Sequence, residues 1–124
     1  MKKKLIALVL CLVLCSTVCV TASAAVQPHA MLSANAYYEL VSGTRYKLSG
    51  EIESLGTDTL SLSLSLYRIS GSNEISIWSI SDSTTGDYLN ITRTVTLIDG
   101  EKYKLVASGS GSSNSASDYV FIYP

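Results

Sequence analysis

Apolar and polar residues alternate along most of this chain, as they do in a β-strand with one buried face. The clearest example is Thr59–Tyr67, where leucine occupies every second position and hydroxyl residues lie between. A slip of one residue would bury the hydroxyls and expose the leucines, so the pattern also specifies the register. After residue 24 no helical period of useful length occurs. The pattern therefore predicts an all-β domain.

Seven candidate strands carry the alternation, and turn-forming residues separate most of them. Such a series favours a seven-stranded antiparallel sandwich of the immunoglobulin or fibronectin type. The predicted strands are Tyr37–Val41, Arg45–Glu53, Thr59–Ile69, Glu74–Ser81, Tyr88–Leu97, Tyr103–Ser108 and Asp118–Tyr123. The predicted core is Leu48, Ile52, Leu60, Leu62, Leu64, Leu66, Trp78, Val95, Tyr103 and Leu105. The glycine- and serine-rich segment Gly109–Ser117 is expected to be a flexible connection.

Two of these strands depart from strict alternation. In the fourth, two isoleucines lie on one face and Trp78 and Ile80 on the other, so a bulge near Ile77 would allow all four to reach the core. In the fifth, Arg93 interrupts the apolar face. Either that strand bulges or bends at this point, or Arg93 lies at an open sheet edge with its head in water. We favour the bend, because burial of an unpaired guanidinium costs several kcal/mol.

An eight-residue pattern occurs twice, in Val41–Leu48 and in Ile98–Leu105. Each copy contains a turn glycine followed by a cation, a tyrosine, a lysine and a leucine. The second copy resembles a tyrosine corner, in which a tyrosine hydroxyl bonds to the backbone of the preceding turn. We expect Tyr103, and by extension Tyr46, to hold the start of a strand. The alternative is that both tyrosines belong to equivalent ligand sites.

The first 24 residues are typical of a bacterial signal peptide. Three lysines precede the apolar run Leu5–Val20, and Ala22-Ser23-Ala24 supplies the small residues that signal peptidase requires. The run is shorter than the ~20 residues that span a bilayer. We therefore expect cleavage after Ala24 or Ala25, rather than an uncleaved anchor. The resulting protein would be secreted or associated with the cell envelope, with no stable membrane insertion, and it would comprise a flexible segment 25–36 and a β-domain 37–124.

Export would also remove every cysteine, because Cys11, Cys15 and Cys19 all lie in this first segment. Burial of apolar surface and backbone pairing must then hold the domain without disulfides. Loss of the three signal lysines leaves six basic and ten acidic residues, a net charge of −4 compared with −1 for the whole chain. That balance argues against nucleic acid as a partner.

Catalytic and metal-binding residues are sparse. The single histidine, His29, lies in the segment expected to be flexible, where a general base could not be held rigidly. Glu51 and Glu53 share one strand face and could act as paired carboxylates, although a solvated outer face explains them as well. Four aspartates in or beside predicted loops could bind calcium, but their spacing fits no EF-hand. They are Asp82, Asp87, Asp99 and Asp118. We expect no cofactor and no metal.

Exposed aromatic residues are the stronger indication of a binding surface. Adjacent Tyr37 and Tyr38 cannot both point inward on a regular strand. In the last strand, Tyr119 and Tyr123 lie on the face opposite Val120 and Ile122, so both faces are apolar. Tyrosines of this kind suit sugar stacking and protein interfaces. These four tyrosines are the candidate contacts for an extracellular glycan or protein.

The order of features resembles a family of small uncharacterised secreted β-sandwich proteins of Gram-positive, clostridial-type bacteria. The resemblance covers the chain from about Leu48 to the end and implies no known activity, so it assigns no residue a role. The segments that carry it are Leu48–Ile52, Leu64–Arg68, Ile77–Ser81, Thr94–Leu97, Gly100 with Tyr103, and Tyr119–Tyr123.

Three functions follow as hypotheses. The first is a secreted non-catalytic binding or interaction module. The second is a structural, self-assembling protein of the cell envelope or matrix, which the two-faced last strand favours. The third is a very small secreted hydrolase that uses Glu51 and Glu53. The sequence does not determine the oligomeric state.

Overall fold

The structure, a computed structural model, describes residues 31–124 and is all-β and antiparallel. It contains β1 (Leu32–Ser42), β2 (Arg45–Ser70), β3 (Asn73–Thr96), β4 (Lys102–Ser110) and β5 (Ser115–Ile122). The pairing order is β1-β2-β4-β5, and β3 pairs with β2. The expected signal peptide 1–24 lies outside the described residues. The first strand begins at Leu32 rather than Tyr37, so residues 32–36, which we expected to be flexible, are strand.

Five strands replace the seven predicted ones, because β2 and β3 each run through two of them. The pairing of β2 with β3 shifts between Glu53 and Asp58, and the long hairpin folds over at this point. Before the fold, β2 pairs with β1 and with the C-terminal half of β3, and we name this group the first half-sheet. After it, β2 pairs with the N-terminal half of β3 and with β4, which pairs with β5. This group is the second half-sheet.

The two half-sheets pack face to face, and glycines allow their close approach. A Cβ built on Gly50 in the first half-sheet would lie 2.8 Å from Leu64 Cδ1 and 3.1 Å from Ala107 Cβ in the second. A Cβ on Gly109 in the second would overlap the end of the Ile52 side chain in the first. The apolar core therefore lies between two halves of one curled sheet.

The core confirms the alternation that predicted it. All four leucines of the Thr59–Tyr67 segment are buried, and burial of each contributes about 1.5–3 kcal/mol. Of the other predicted core residues, Leu48, Ile52, Tyr103 and Leu105 are buried, while Trp78 and Val95 are partly buried against the core. Core residues that the sequence did not single out are Ala36, Tyr46, Leu89, Ile91, Leu97, Ala107 and Ile122.

The expected bulge in β3 is present, but it does not bring all four apolar residues inside. The register between β2 and β3 shifts so that Leu66 faces Trp78 and Tyr67 faces Ser76, which leaves Ile77 as the additional residue. Trp78 and Ile80 then pack against the core, whereas Ile75 and Ile77 remain exposed. Ile75 is opposite Arg68, which is itself opposite the buried Tyr103, so the bulge places Ile75 on the inner face but at the margin of the core, where it stays exposed.

Arg93 occupies the position that we considered less favourable. The register of β3 is unbroken from Tyr88 to Thr96, so no bulge interrupts this part of the strand. Arg93 is exposed at the edge of the first half-sheet, and its guanidinium lies 4.9 Å from the centre of the Trp78 ring in the second. A planar cation over an indole is favourable by about 0.5–1 kcal/mol at an exposed site. The contact between Arg93 and Trp78 thus joins the two half-sheets along β3, beside the core against which Trp78 packs.

Asp118 joins the half-sheets on the other side. Its carboxylate on β5 accepts a hydrogen bond of 2.9 Å from the backbone N–H of Ala36 on β1. Strands β1 and β5 are the two ends of the pairing order, and their outer edges would otherwise present unpaired backbone groups. An inward-directed carboxylate at such an edge also discourages pairing with a further strand.

Tyr103 forms the predicted tyrosine corner. Its buried hydroxyl accepts a hydrogen bond of 3.0 Å from the backbone N–H of Ile98, in the turn that precedes β4. Tyr46, in the other copy of the repeat, is also buried, and its ring lies 5.9 Å from that of Tyr38. Both tyrosines are thus part of the packing rather than equivalent surface sites.

Tyr103→Phe is expected to lower the free energy of unfolding by about 1–2 kcal/mol, because the Ile98 N–H loses its acceptor in a partly buried position. Urea denaturation measures the change. The control is Tyr123→Phe, which removes an exposed hydroxyl and should change stability by less than about 0.5 kcal/mol. Equal effects of the two substitutions would contradict the role of the Tyr103 hydroxyl.

Candidate functional site

The four candidate tyrosines lie on three different surfaces. Tyr37 is on the outer face of β1, and Tyr38 points to its other side, where it contacts Tyr46. Both are about two-fifths exposed. Tyr119 and Tyr123 lie together on the outer face of the second half-sheet and are 57% and 66% exposed. The structure therefore separates the tyrosines of β1 from those of the last strand.

Tyr119 and Tyr123 belong to a row of aromatic rings interleaved with lysines. Lys102 Nζ lies 4.5 Å from the centre of the Phe121 ring and 5.5 Å from that of Tyr123. Lys104 Nζ lies 4.7 Å from the Tyr119 ring, and Tyr119 contacts Phe121 edge to face at 5.6 Å. We name this group of Lys102, Lys104, Tyr119, Phe121 and Tyr123 the basic aromatic face.

Strand pairing assembles this face from residues distant in the chain. Lys104 on β4 is opposite Phe121 on β5. Alternation sends Leu105 and Ile122 into the core and leaves the lysines and aromatic rings outside. Lys104 also forms a 3.0 Å ion pair with Glu74, which offsets part of the positive charge. Lys102, over Phe121 and Tyr123, is the more prominent cation of this face.

A second cluster lies on the outer face of the first half-sheet and has the opposite charge. The Tyr88 hydroxyl donates a hydrogen bond of 3.4 Å to Glu51 Oε1, and Tyr88 is opposite Glu53 in the β2–β3 register. Partial burial raises the pKa of Tyr88, and the charges of Glu51, Tyr37 and Glu53 raise it further. We name Tyr37, Glu51, Glu53 and Tyr88 the acidic tyrosine face.

The geometry does not place the two glutamates of this face in one cleft. Acid and base catalysis by paired carboxylates requires both to flank the same bond. Glu53 borders a hollow of about 220 Å³ beside Leu32 and Leu55, and Glu51 does not line it. A larger, open hollow of about 650 Å³ lies over a serine-rich surface of β2, β3 and β4 that includes Ser63, Ser81 and Ser108.

Two of the four aspartates considered for calcium accept hydrogen bonds in the structure. Asp118 accepts the hydrogen bond from Ala36, and Asp82 accepts one of 2.8 Å from the N–H of Ser83. Within residues 31–124, no group of three or more His, Cys, Asp or Glu side chains is arranged to hold a metal ion. The same part of the chain contains no helix long and apolar enough to cross a membrane.

Lys102 and Lys104 of the basic aromatic face and Tyr88 of the acidic tyrosine face were not among the site residues predicted from the sequence. The sequence did contain an indication of these lysines. Lys102 and Lys104 flank Tyr103, so on a strand with Tyr103 pointing inward both lysines point outward. If β4 and β5 are assumed to pair as a hairpin, the outward lysines of β4 lie beside the outward aromatic rings of β5, which predicts the contact between them. The pairing of Tyr88 with Glu51 depends on the β2–β3 register over a long separation, which alternation does not supply.

No family model matches the chain, and no curated protein matches it. Among solved structures, it is similar to CsgH of R. palustris, with a TM-score of 0.53 and 15% identity, over 73% of this chain and 91% of CsgH. It is similar to OgpA of Akkermansia muciniphila, with a TM-score of 0.50 and 8% identity, over 79% of this chain and 30% of OgpA. The E. coli curli protein CsgC gives a TM-score of 0.48 and 14% identity, over 72% of this chain and 97% of CsgC.

At these identities the similarity to CsgH and OgpA concerns the fold. The arrangement of β1 to β5 has a counterpart that makes up nearly all of CsgH and less than a third of OgpA. The all-β antiparallel architecture is therefore found both as a separate small protein and as part of a larger one.

Proposed function

We propose that this protein is a secreted, non-catalytic structural protein of the cell envelope or extracellular matrix that assembles with further copies of itself. The observation that carries the proposal is the two-faced last strand. Ile122 is fully buried and Val120 packs against the core, while Tyr119 and Tyr123 on the opposite face are exposed. An edge strand with apolar side chains on both faces presents a surface that association would cover.

The fold we infer for this role is an immunoglobulin- or fibronectin-like sandwich in which two pairs of strands are fused into β2 and β3. The packing of the core orders the outer faces of both half-sheets, which are broad strand surfaces, without a disulfide. Broad, well-ordered faces suit repeated contact between copies, since little additional order is imposed on association. The expected signal peptide would deliver such a protein to the cell exterior.

Binding of an extracellular glycan is the second candidate function, and the exposed row of Tyr119, Phe121 and Tyr123 favours it. Successive rings on one face can stack on sugar rings, and lysines between them can pair with acidic groups. A glycan array and a pull-down on cell-wall material separate this function from self-assembly. A monomeric protein that binds a glycan through Tyr119 and Tyr123 would replace the first proposal with the second.

Sedimentation of the purified protein tests self-assembly directly. We expect the average molecular mass to rise with protein concentration, because association depends on mass action. Tyr119→Ser combined with Tyr123→Ser should shift this rise to higher concentration. The matched control is Ser63→Ala combined with Ser81→Ala on the serine-rich part of the same half-sheet. A wild-type protein that remains a monomer at every concentration would overturn the proposal.

A further inference from the structure

The two charged faces are on opposite sides of the molecule. The half-sheets pack through their inner faces, so the acidic tyrosine face of the first and the basic aromatic face of the second point in opposite directions. Each face combines exposed aromatic rings with charge of one predominant sign. A molecule with complementary faces on opposite sides can contact a like molecule on each side.

We propose that the acidic tyrosine face of one copy binds the basic aromatic face of the next copy, so that the copies stack head to tail. This inference rests on the proposed function and names the surfaces through which it operates. The occupant of each face is a second copy of this chain, and charge complementarity is the argument for it. Glu51 and Glu53 supply the negative charge, and Lys102 and Lys104 supply the positive charge.

The aromatic rings give this contact its apolar component. Tyr88 and Tyr37 are 48% and 40% exposed beside the glutamates, and Tyr119 and Tyr123 are exposed beside the lysines. Tyrosine is enriched in protein interfaces because its ring buries apolar area while its hydroxyl keeps a polar partner. Burial of these rings between copies also removes water from the charge pairs and strengthens them.

The arrangement of the faces determines the type of assembly. A contact between two different surfaces is heterologous, so it leaves one acidic and one basic face free at the ends of any open oligomer. Such a contact produces either a closed ring or an open stack. Faces that point in opposite directions favour the open stack. The overall negative charge of the exported chain opposes it, so a moderate salt concentration should favour assembly until the charge pairs themselves are screened.

The net charge of each face is modest and is consistent with reversible contact. Lys104 already pairs with Glu74, and Glu39 is opposite Lys47 at the margin of the acidic tyrosine face. Arg45 lies beyond Lys47 on the same face of β2, so the charges nearest the centres of the two faces are Lys102 on one side and Glu51 with Glu53 on the other. Substitutions at these residues should have the largest effect on association.

Reversing the charge of each face and then mixing the two variants tests this contact. One variant carries Glu51→Lys with Glu53→Lys, and the other carries Lys102→Glu with Lys104→Glu. Each places like charges opposite one another, so the association constant of each variant alone should fall on the order of 100-fold or more. In an equal mixture the faces are again complementary, and assembly measured by sedimentation should return.

A control with the same change in net charge as the Glu51→Lys and Glu53→Lys variant, an increase of about 4 from two carboxylate-to-lysine changes, is placed away from both faces. Asp82→Lys with Asp99→Lys alters two exposed aspartates and should assemble at least as well as the wild-type protein. All variants are produced by expressing the full chain in a secreting host, and circular dichroism verifies their fold. If the Lys102 and Lys104 double variant does not fold, Lys102→Glu is mixed with Glu51→Lys instead.

The outcomes separate this inference from the function on which it rests. A wild-type protein that never associates overturns the proposed function and the stacking contact together. A wild-type protein that assembles, with charge-reversed variants that assemble equally well, overturns the contact alone. Variants that remain monomeric when mixed also overturn it. Recovery of assembly in the mixture, together with loss of assembly in each variant by itself, is the result that the stacking contact requires.

Discussion

Replacing Leu64 by alanine is expected to lower the free energy of unfolding by about 3–5 kcal/mol. Leu64 is fully buried in the centre of β2, between Ile80 of β3 and Ala107 of β4. Its Cδ1 atom also lies under Gly50 of the opposite half-sheet, where a Cβ on Gly50 would be 2.8 Å away. The cavity left by the substitution cannot collapse easily, because backbone pairing on both sides holds β2 in place.

Urea denaturation followed by fluorescence measures this loss, and the single tryptophan, Trp78, reports on the core against which it packs. Domains of this size are stable by about 5–15 kcal/mol, so the variant should unfold at a much lower urea concentration. Ile77→Ala is the control, since it removes a side chain that is 46% exposed at the bulge. Similar losses from both substitutions would show that Leu64 does not lie in a packed interior.

Gly109→Ala is expected to be the second most damaging substitution, with a loss of about 2–3 kcal/mol. The added Cβ would lie 2.8 Å from the backbone oxygen of Ser61 and would overlap the end of the buried Ile52 side chain. Ile52 could change its rotamer, but the Ser61 oxygen belongs to the strand that pairs with β4. The sheet would have to shift, and overpacking of this kind is destabilising.

The matched control for Gly109→Ala is Gly56→Ala, because a Cβ at Gly56 meets no atom within 4 Å. That substitution should be neutral or slightly stabilising, since it reduces the conformational freedom of the unfolded chain. Combining Gly109→Ala with Ile52→Val tests whether the two positions touch. The double variant should be more stable than the sum of the single effects predicts. Simple additivity would contradict direct contact between the half-sheets at this position.

Much of the strand pattern could be predicted from the sequence because alternation is a local property. Leu60 to Leu66 identify the buried face of their strand without any knowledge of its neighbours, and the structure buries all four. Tyr103 could be placed for the same reason, since its glycine-containing turn and its hydroxyl partner lie within five residues of it. When the two partners of an interaction lie close together in the chain, a short stretch of sequence is enough to predict it.

Strand continuity could not be predicted in the same way. A turn-like sequence at Gly56-Thr57-Asp58 indicated a break, yet β2 passes through it and the register with β3 shifts there. Backbone pairing with β3 continues on both sides of this point, so the hairpin folds over here without ending the strand. Glycine and aspartate permit a turn but do not require one, so the competition between turn and strand is decided by the partner strand.

The candidate site was predicted in part. The exposure of Tyr119 and Tyr123 follows from alternation opposite Val120 and Ile122, and the structure leaves both tyrosines open to solvent. The lysines beside them and the pairing of Tyr88 with Glu51 depend on which strands are neighbours. Such pairs join residues far apart in the chain, and the free energy that selects them comes from the packing of the whole domain.

The sequence by itself determined the all-β class, the inward and outward faces of most strands and the tyrosine corner, because each follows from the spacing of nearby residues. The tertiary structure alone decided the rest. It made five strands from seven segments and placed Arg93 at an open sheet edge, over Trp78. It also made both ends of Gly109–Ser117, the segment expected to be a flexible connection, part of β4 and β5, and it joined the turn between them to Asp58 by hydrogen bonds from the Ser112 N–H. These outcomes depend on contacts between distant segments, which exist only after the sheet has curled upon itself.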